Sequence, residues 1–126
     1  MGTITLNNTG TSIPRKGLDT SLKILDKWGA NSVQIALILN IASDANNPRN
    51  SGGISSEQAI RISHILNIHA ALRILFTNEE NVYGFMTMEN SSAFFGGRTP
   101  LSLIESGDLE ALEQVAMQLT SLSNGN

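Results

Sequence analysis

The stretch Ser55 to Phe76, SSEQAIRISHILNIHAALRILF, constrains this chain more than any other. Ser55 and Gln58 have the spacing of a capping box, in which each side chain satisfies a free backbone donor at the other position. At about 100° per residue, Ile62, Ile65, Leu66, Leu72, Leu75 and Phe76 fall on one broad apolar face, with Ser56, Ser63, Asn67 and Ala70 opposite. A helix of this length reaches roughly 33 Å, the diameter of a small domain. The remaining elements must therefore pack along it, as along a spine.

What precedes the spine is weaker. Met1 to Gly17 is rich in Thr, Asn and Gly and lacks a helical period, which predicts a flexible leader over residues 1–17. Asp19 or Thr20 then caps a first helix to about Trp28, with Leu22, Leu25 and Trp28 on one side and Gly29 as its stop. Asn31 and Gln34 repeat the capping-box spacing and open a second helix to about Leu39, with Val33, Ala36, Leu37 and Ile41 as its apolar face. Two short helices in this order resemble the opening of a helix-turn-helix. The third helix of that motif is missing. Ser43 to Gly53, SDANNPRNSGG, has no large apolar residue, carries Pro48 and ends in paired glycines, so it reads as a polar loop.

After the spine, Thr77 and Glu80 have capping-box spacing for a short helix ending near Met86 or Met88, with Val82, Phe85 and Met86 apolar. The Met and Phe cluster reads as core or partner contact. Glu89 to Arg98, ENSSAFFGGR, is a loop with an aromatic pair and a diglycine. Thr99 suits an N-cap and Pro100 the first helical position, Gly107 suits a C-cap, and Asp108 caps a last helix striped by Leu109, Leu112, Val115, Ala116, Leu119 and Leu122. No strand signal competes. The fold class is all-α.

Chemistry finds little purchase here. His64 and His69 are five residues apart, about 140° around a helix, so they cannot share a metal. Hydrogen-bonded packing roles suit both. The chain has no cysteine, no nucleophile elbow, no dinucleotide fingerprint and no phosphate loop, so no catalytic residue, metal site or cofactor is predicted. Glu105, Asp108, Glu110 and Glu113 read as a solvated face with helix-end charges. Arg61 pairs with Glu57 one turn earlier, or forms a buried fork that organises a loop or a partner carboxylate; the structural role is favoured. No apolar run suits a membrane span and no secretory segment opens the chain, which with the lack of cysteine fits a cytoplasmic protein. Net charge is −3, which argues against nucleic acid as the main partner. The charge is divided, +3 over residues 1–73 and −6 over residues 74–126, where Arg98 is the sole cation. Two faces with different partners follow from that split.

Three stretches together resemble the Xre/MbcA/ParS antitoxins with their toxin-binding domain. They are Ile54-Ser-Ser-Glu-Gln58 leading through Arg61-Ile-Ser-His-Ile-Leu-Asn-Ile68 to Leu72-Arg-Ile-Leu-Phe76; Asn90 followed by Phe95-Gly-Gly-Arg-Thr-Pro-Leu101, Ile104 and Gly107; and the Leu-rich closing helix with its glycine-containing tail. The resemblance covers about Trp28 to Asn126. It implies a small helical protein with a degenerate Xre-like region over residues 18–53 and a toxin-binding domain over residues 54–126. It implies an antitoxin of a type II system, without catalysis, that neutralises a RES-domain toxin which degrades NAD or transfers its ADP-ribose. Such antitoxins cover the toxin's active-site entrance and are commonly homodimers. The toxin-facing residues carried over are Asn90, Gly96, Gly97, Arg98 and Pro100, with Asn124, Gly125 and Asn126 of the tail.

Where relatives place a recognition helix, this chain has Ala42-Ser-Asp-Ala-Asn-Asn-Pro48. Arg49 is left as the DNA-contact candidate there, and operator binding by a helix-turn-helix autorepressor is the alternative reading.

Overall fold

The computed structural model describes residues 2–41 and 53–125, with side chains from Arg15 onward. Arg49, most of the polar loop containing it, and Asn126 lie outside the described residues. Six α-helices and no strand occur among the described residues: α1 (Gly2–Lys27), α2 (Ser32–Leu39), α3 (Ser56–Leu75), α4 (Glu79–Gly84), α5 (Pro100–Ile104) and α6 (Leu109–Ser123), with a 3-10 turn at Phe85–Thr87. The all-α expectation holds.

α3 is the predicted spine. Ser55 Oγ accepts from the Gln58 N–H at 3.1 Å, and Gln58 Oε1 accepts from the Ser55 N–H at 2.9 Å, closing the expected box. Ile62, Ile65, Ile68, Ala71 and Leu72 are buried along it, while Ser56, Ser63, Asn67 and Ala70 are exposed. α6 and α1 make the most extensive contacts with this helix. α6 contributes Leu112, Val115, Ala116 and Leu119, and α1 contributes Leu18, Ile24 and Leu25, with Trp28 just past its end, to the same core. Fully burying a side chain of this size contributes about 1.5–3 kcal/mol, so these three helices supply most of the hydrophobic driving force.

Several local expectations need correction. α1 starts at Gly2, not at Asp19 or Thr20, so the stretch expected as a leader is helical. The packed turns from Leu18 to Lys27 provide a nucleus, and extension from a nucleus gains one hydrogen bond for each residue fixed. α4 is capped by Asn78, whose Oδ1 accepts from the Asn81 N–H at 2.8 Å, and not by Thr77 with Glu80. Asparagine is at least as good a cap as threonine, and Asn78 is the residue with extended backbone at the helix entry. In α2 the predicted cap at Asn31 and Gln34 is present, but the predicted face is turned. Val33 and Leu37 are 64% and 48% exposed, while Ile38 and Leu39 are fully buried. The sequence SVQIALIL is apolar almost all round, so tertiary contacts decide which side faces inward.

Those contacts converge on Arg61, which is buried at 6% exposure. Its Nη1 donates to the carbonyls of Ile38 at 3.0 Å and Gly107 at 2.8 Å, with a longer contact to Leu37 at 3.4 Å. Nε and Nη2 both donate to Glu57 Oε2, at 3.1 and 2.9 Å. Arg61 is therefore an ion-pair partner and an organising fork at once. The cation satisfies orphan carbonyls at the C-terminal end of α2, where the helix dipole favours positive charge. It also ties that end to the turn between α5 and α6. Gln34 Nε2 adds a bond to Glu105 Oε1 at 2.8 Å, and Gln58 Nε2 donates to the Asn40 carbonyl at 2.8 Å. Gly107 sits within this junction at φ +85°, and a Cβ there would lie 2.4 Å from the Leu37 carbonyl oxygen.

Candidate functional site

The loop between the 3-10 turn and α5 is closed by two reciprocal backbone bonds. The Asn90 N–H donates to the Arg98 carbonyl at 3.1 Å, and the Gly97 N–H donates to the Asn90 carbonyl at 2.7 Å. Within the loop, Asn90 Oδ1 accepts from the Ser92 N–H at 2.9 Å and the Gly96 N–H donates to the Ser92 carbonyl at 2.8 Å. The side chain and backbone of Asn90 together hold both ends of the loop. Gly96 and Gly97 have φ of +60° and +86°, consecutive left-handed residues that strongly favour glycine. A Cβ at either would meet nothing within 4 Å, so this backbone faces open space and a partner can approach it closely.

Phe95 anchors the loop from beneath. It is 2% exposed and packs edge-on against Phe85 (centroids 6.1 Å, 78°) and Phe94 (4.8 Å, 88°). Pro100 is buried at the start of α5, and Thr99 Oγ1 accepts from the Ser102 N–H at 3.3 Å, the cap predicted for this helix. Arg98 is exposed and has no hydrogen-bonding or ion-pair partner for its side chain among the described residues. Phe94 is 38% exposed; sequence reasoning noted the aromatic pair without separating its buried member from its exposed one.

The structure thus brings Asn90, Gly96, Gly97, Arg98 and Pro100 into one pinched loop, with Pro100 as its buried hinge to α5. Asn124 and Gly125 are exposed at the end of α6, where the Gly125 N–H donates to the Leu122 carbonyl at 3.1 Å. No hydrogen bond or ion pair among the described residues joins this tail to the loop.

The histidines are packed without the expected hydrogen bonds. Neither His64 nitrogen, nor His69 Nδ1, has a hydrogen-bond partner within the described protein. His69 has an aromatic ring beside it and feels the charge of Arg73. It stacks on Tyr83 at 5.4 Å, and Lys27 Nζ lies 5.0 Å from the centroid of that same ring. Burial, and then the Arg73 guanidinium, hold the His69 pKa below its ordinary value of 6.5. An imidazole of this kind takes up its proton more readily in the unfolded chain. Stability is thus fully present above pH 6.5 and declines as pH falls through 6.5 toward the folded pKa. Urea midpoints should drop between pH 7.5 and pH 5, and His69→Phe should flatten that part of the profile. Equal pH dependence in the two proteins would contradict this assignment.

No group of three or more His, Cys, Asp or Glu residues among the described residues could hold a metal. Nor is any helix among them long and apolar enough to cross a membrane.

Residues 71–125, from the last turns of α3 to the tail, match the family model of the antitoxin Xre/MbcA/ParS C-terminal toxin-binding domain. Neither a curated protein nor a solved structure matches the chain. The matched segment contains the pinched loop, α4 to α6 and the described tail. Over residues 71–125 the chain is therefore similar to the C-terminal toxin-binding domain of the Xre/MbcA/ParS antitoxins.

Proposed function

We propose that this chain is the antitoxin of a type II system and neutralises a RES-domain toxin by covering the entrance to its NAD-handling site. The chain acts by binding, with the loop of Asn90, Gly96, Gly97, Arg98 and Pro100 and the tail Asn124, Gly125 and Asn126 as the covering surface. The observation that carries this reading is the coincidence of two independent features. The toxin-binding-domain match includes a loop whose backbone is held by its own hydrogen bonds while its diglycine and Arg98 stay open. A surface already fixed in shape loses less entropy when it binds. The resemblance to antitoxins of RES toxins supplies the toxin class.

Electrostatics supports the same reading. Glu110 and Glu113 are exposed on α6, in the half of the chain that carries −6. A toxin site that holds NAD phosphates is lined with cations, and an acidic cover complements it. The test is binding of the purified chain to the RES-type product of the neighbouring reading frame, over a series of salt concentrations. Glu110→Gln with Glu113→Gln should weaken association and flatten its salt dependence. Removing residues 124–126 should reduce protection of the toxin's site. Unchanged affinity and salt dependence in the first variant would remove the electrostatic argument. Absence of any complex would remove the function.

A further inference from the structure

The proposed function leaves one exposed aromatic side chain without a role. Phe94 lies on the loop between Asn90 and Gly96 at 38% exposure, while the other aromatic side chains among the described residues are buried or half-buried. Its ring is held in place. It stands edge-on to Phe95 at 4.8 Å, and Phe95 is itself buried against Phe85. Met88, two residues before the pinch at Asn90, is 57% exposed. On the other strand of the pinch, Arg98 is exposed without a side-chain partner among the described residues.

We propose that Phe94 is the apolar anchor of the toxin interface, seated in an apolar pocket on a toxin surface that places a carboxylate opposite Arg98. This rests on the function proposed above and names the chemistry of its partner surface. Aromatic and arginine side chains in fixed positions dominate the energetics of protein interfaces. Phe94 has both the exposure and the support such an anchor requires. The charge pattern sets the partner's complement. Arg98 is the sole cation among residues 74–126 against seven acidic residues, so the matching surface is mainly basic with one acidic position. A shifted docking would bring Arg98 against cations, and like-charge contacts of that kind enforce a single register.

The test uses the full chain and the RES-type toxin encoded beside it, with Kd measured by calorimetry. Phe94→Ala should raise Kd by about 30-fold or more, Phe94→Leu by less, and Arg98→Glu by at least about tenfold. Phe94→Leu keeps an apolar contact with Phe95, and matching thermal unfolding of all variants shows that the losses arise at the interface. Tight wild-type binding with Phe94→Ala within about threefold of it would overturn the anchor and leave the proposed function standing. No wild-type binding would overturn both. The order wild type, Leu, Ala, from tightest to weakest, supports the anchor.

Discussion

Replacing Arg61 with methionine should lower folding stability by about 3 kcal/mol, roughly ten degrees in Tm for a chain of this size. Methionine keeps most of the stem volume, so the loss reports the guanidinium. Without it, the carbonyls of Ile38 and Gly107 lose a charged donor, the first in a buried and the second in a half-buried setting. A hydrogen bond to a charged donor contributes about 1.5–3 kcal/mol, more than a neutral one. The ion pair itself is the smaller part. The Glu57 side chain is 49% exposed, and a pair with one partner in solvent is screened to about 1 kcal/mol or less. Glu57→Gln should therefore cost well under 1 kcal/mol. Urea titrations of the two variants separate these contributions. Equal losses would mean that the pair, not the carbonyl fork, holds the junction.

Gly107→Ala should be at least as damaging, about 3 kcal/mol or more. The left-handed backbone at φ +85° costs a non-glycine residue about 1 kcal/mol. The larger part is steric. The added methyl would lie 2.4 Å from the Leu37 oxygen and 2.9 Å from its carbonyl carbon, and neither belongs to a flexible side chain. α2 must then move off the α5–α6 turn, which also breaks the Arg61 contacts to both. The Arg61 and Gly107 substitutions share one junction, so their effects in the double variant should be less than additive. Additive losses in denaturant titrations would contradict a shared junction.

These two residues also mark the limit of what was legible in the sequence. Capping boxes at Asn31 with Gln34 and Ser55 with Gln58 could be read because both partners lie three residues apart on one turn. Glu57 could be paired with Arg61 for the same local reason. The carbonyls that Arg61 serves are 23 and 46 residues away, and no local pattern announces a contact at that range. Gly107 was readable as a helix stop, but its close approach to Leu37 was not. The inward side of α2 differs from the one its spacing predicts, because a short helix apolar all round has no preferred face until Arg61 and Gly107 dock against it. In the loop, the diglycine signalled an open backbone, whereas the pinch between Asn90 and Arg98 and the opposite fates of Phe94 and Phe95 emerge only from the fold.

The junction also bears on the site. α5 follows the loop through the buried Pro100, and the turn at its far end is held to α2 by Arg61. Residues 71–125 carry the family match, yet α6 and α1 both pack on α3, and Ile62, Ile65 and Ile68, which precede residue 71, are buried in the core these helices share. The helices before the matched segment are thus part of the scaffold that positions the loop.

The most direct test of the proposed function is NAD loss caused by the proposed partner, a RES-type toxin encoded beside this chain, titrated with this chain. NAD consumption or ADP-ribosyl transfer should fall to background at a fixed molar ratio, and Phe94→Ala and Arg98→Glu should require excess protein to reach the same end point. Undiminished turnover of NAD at saturating concentrations of the folded chain would contradict the proposed function.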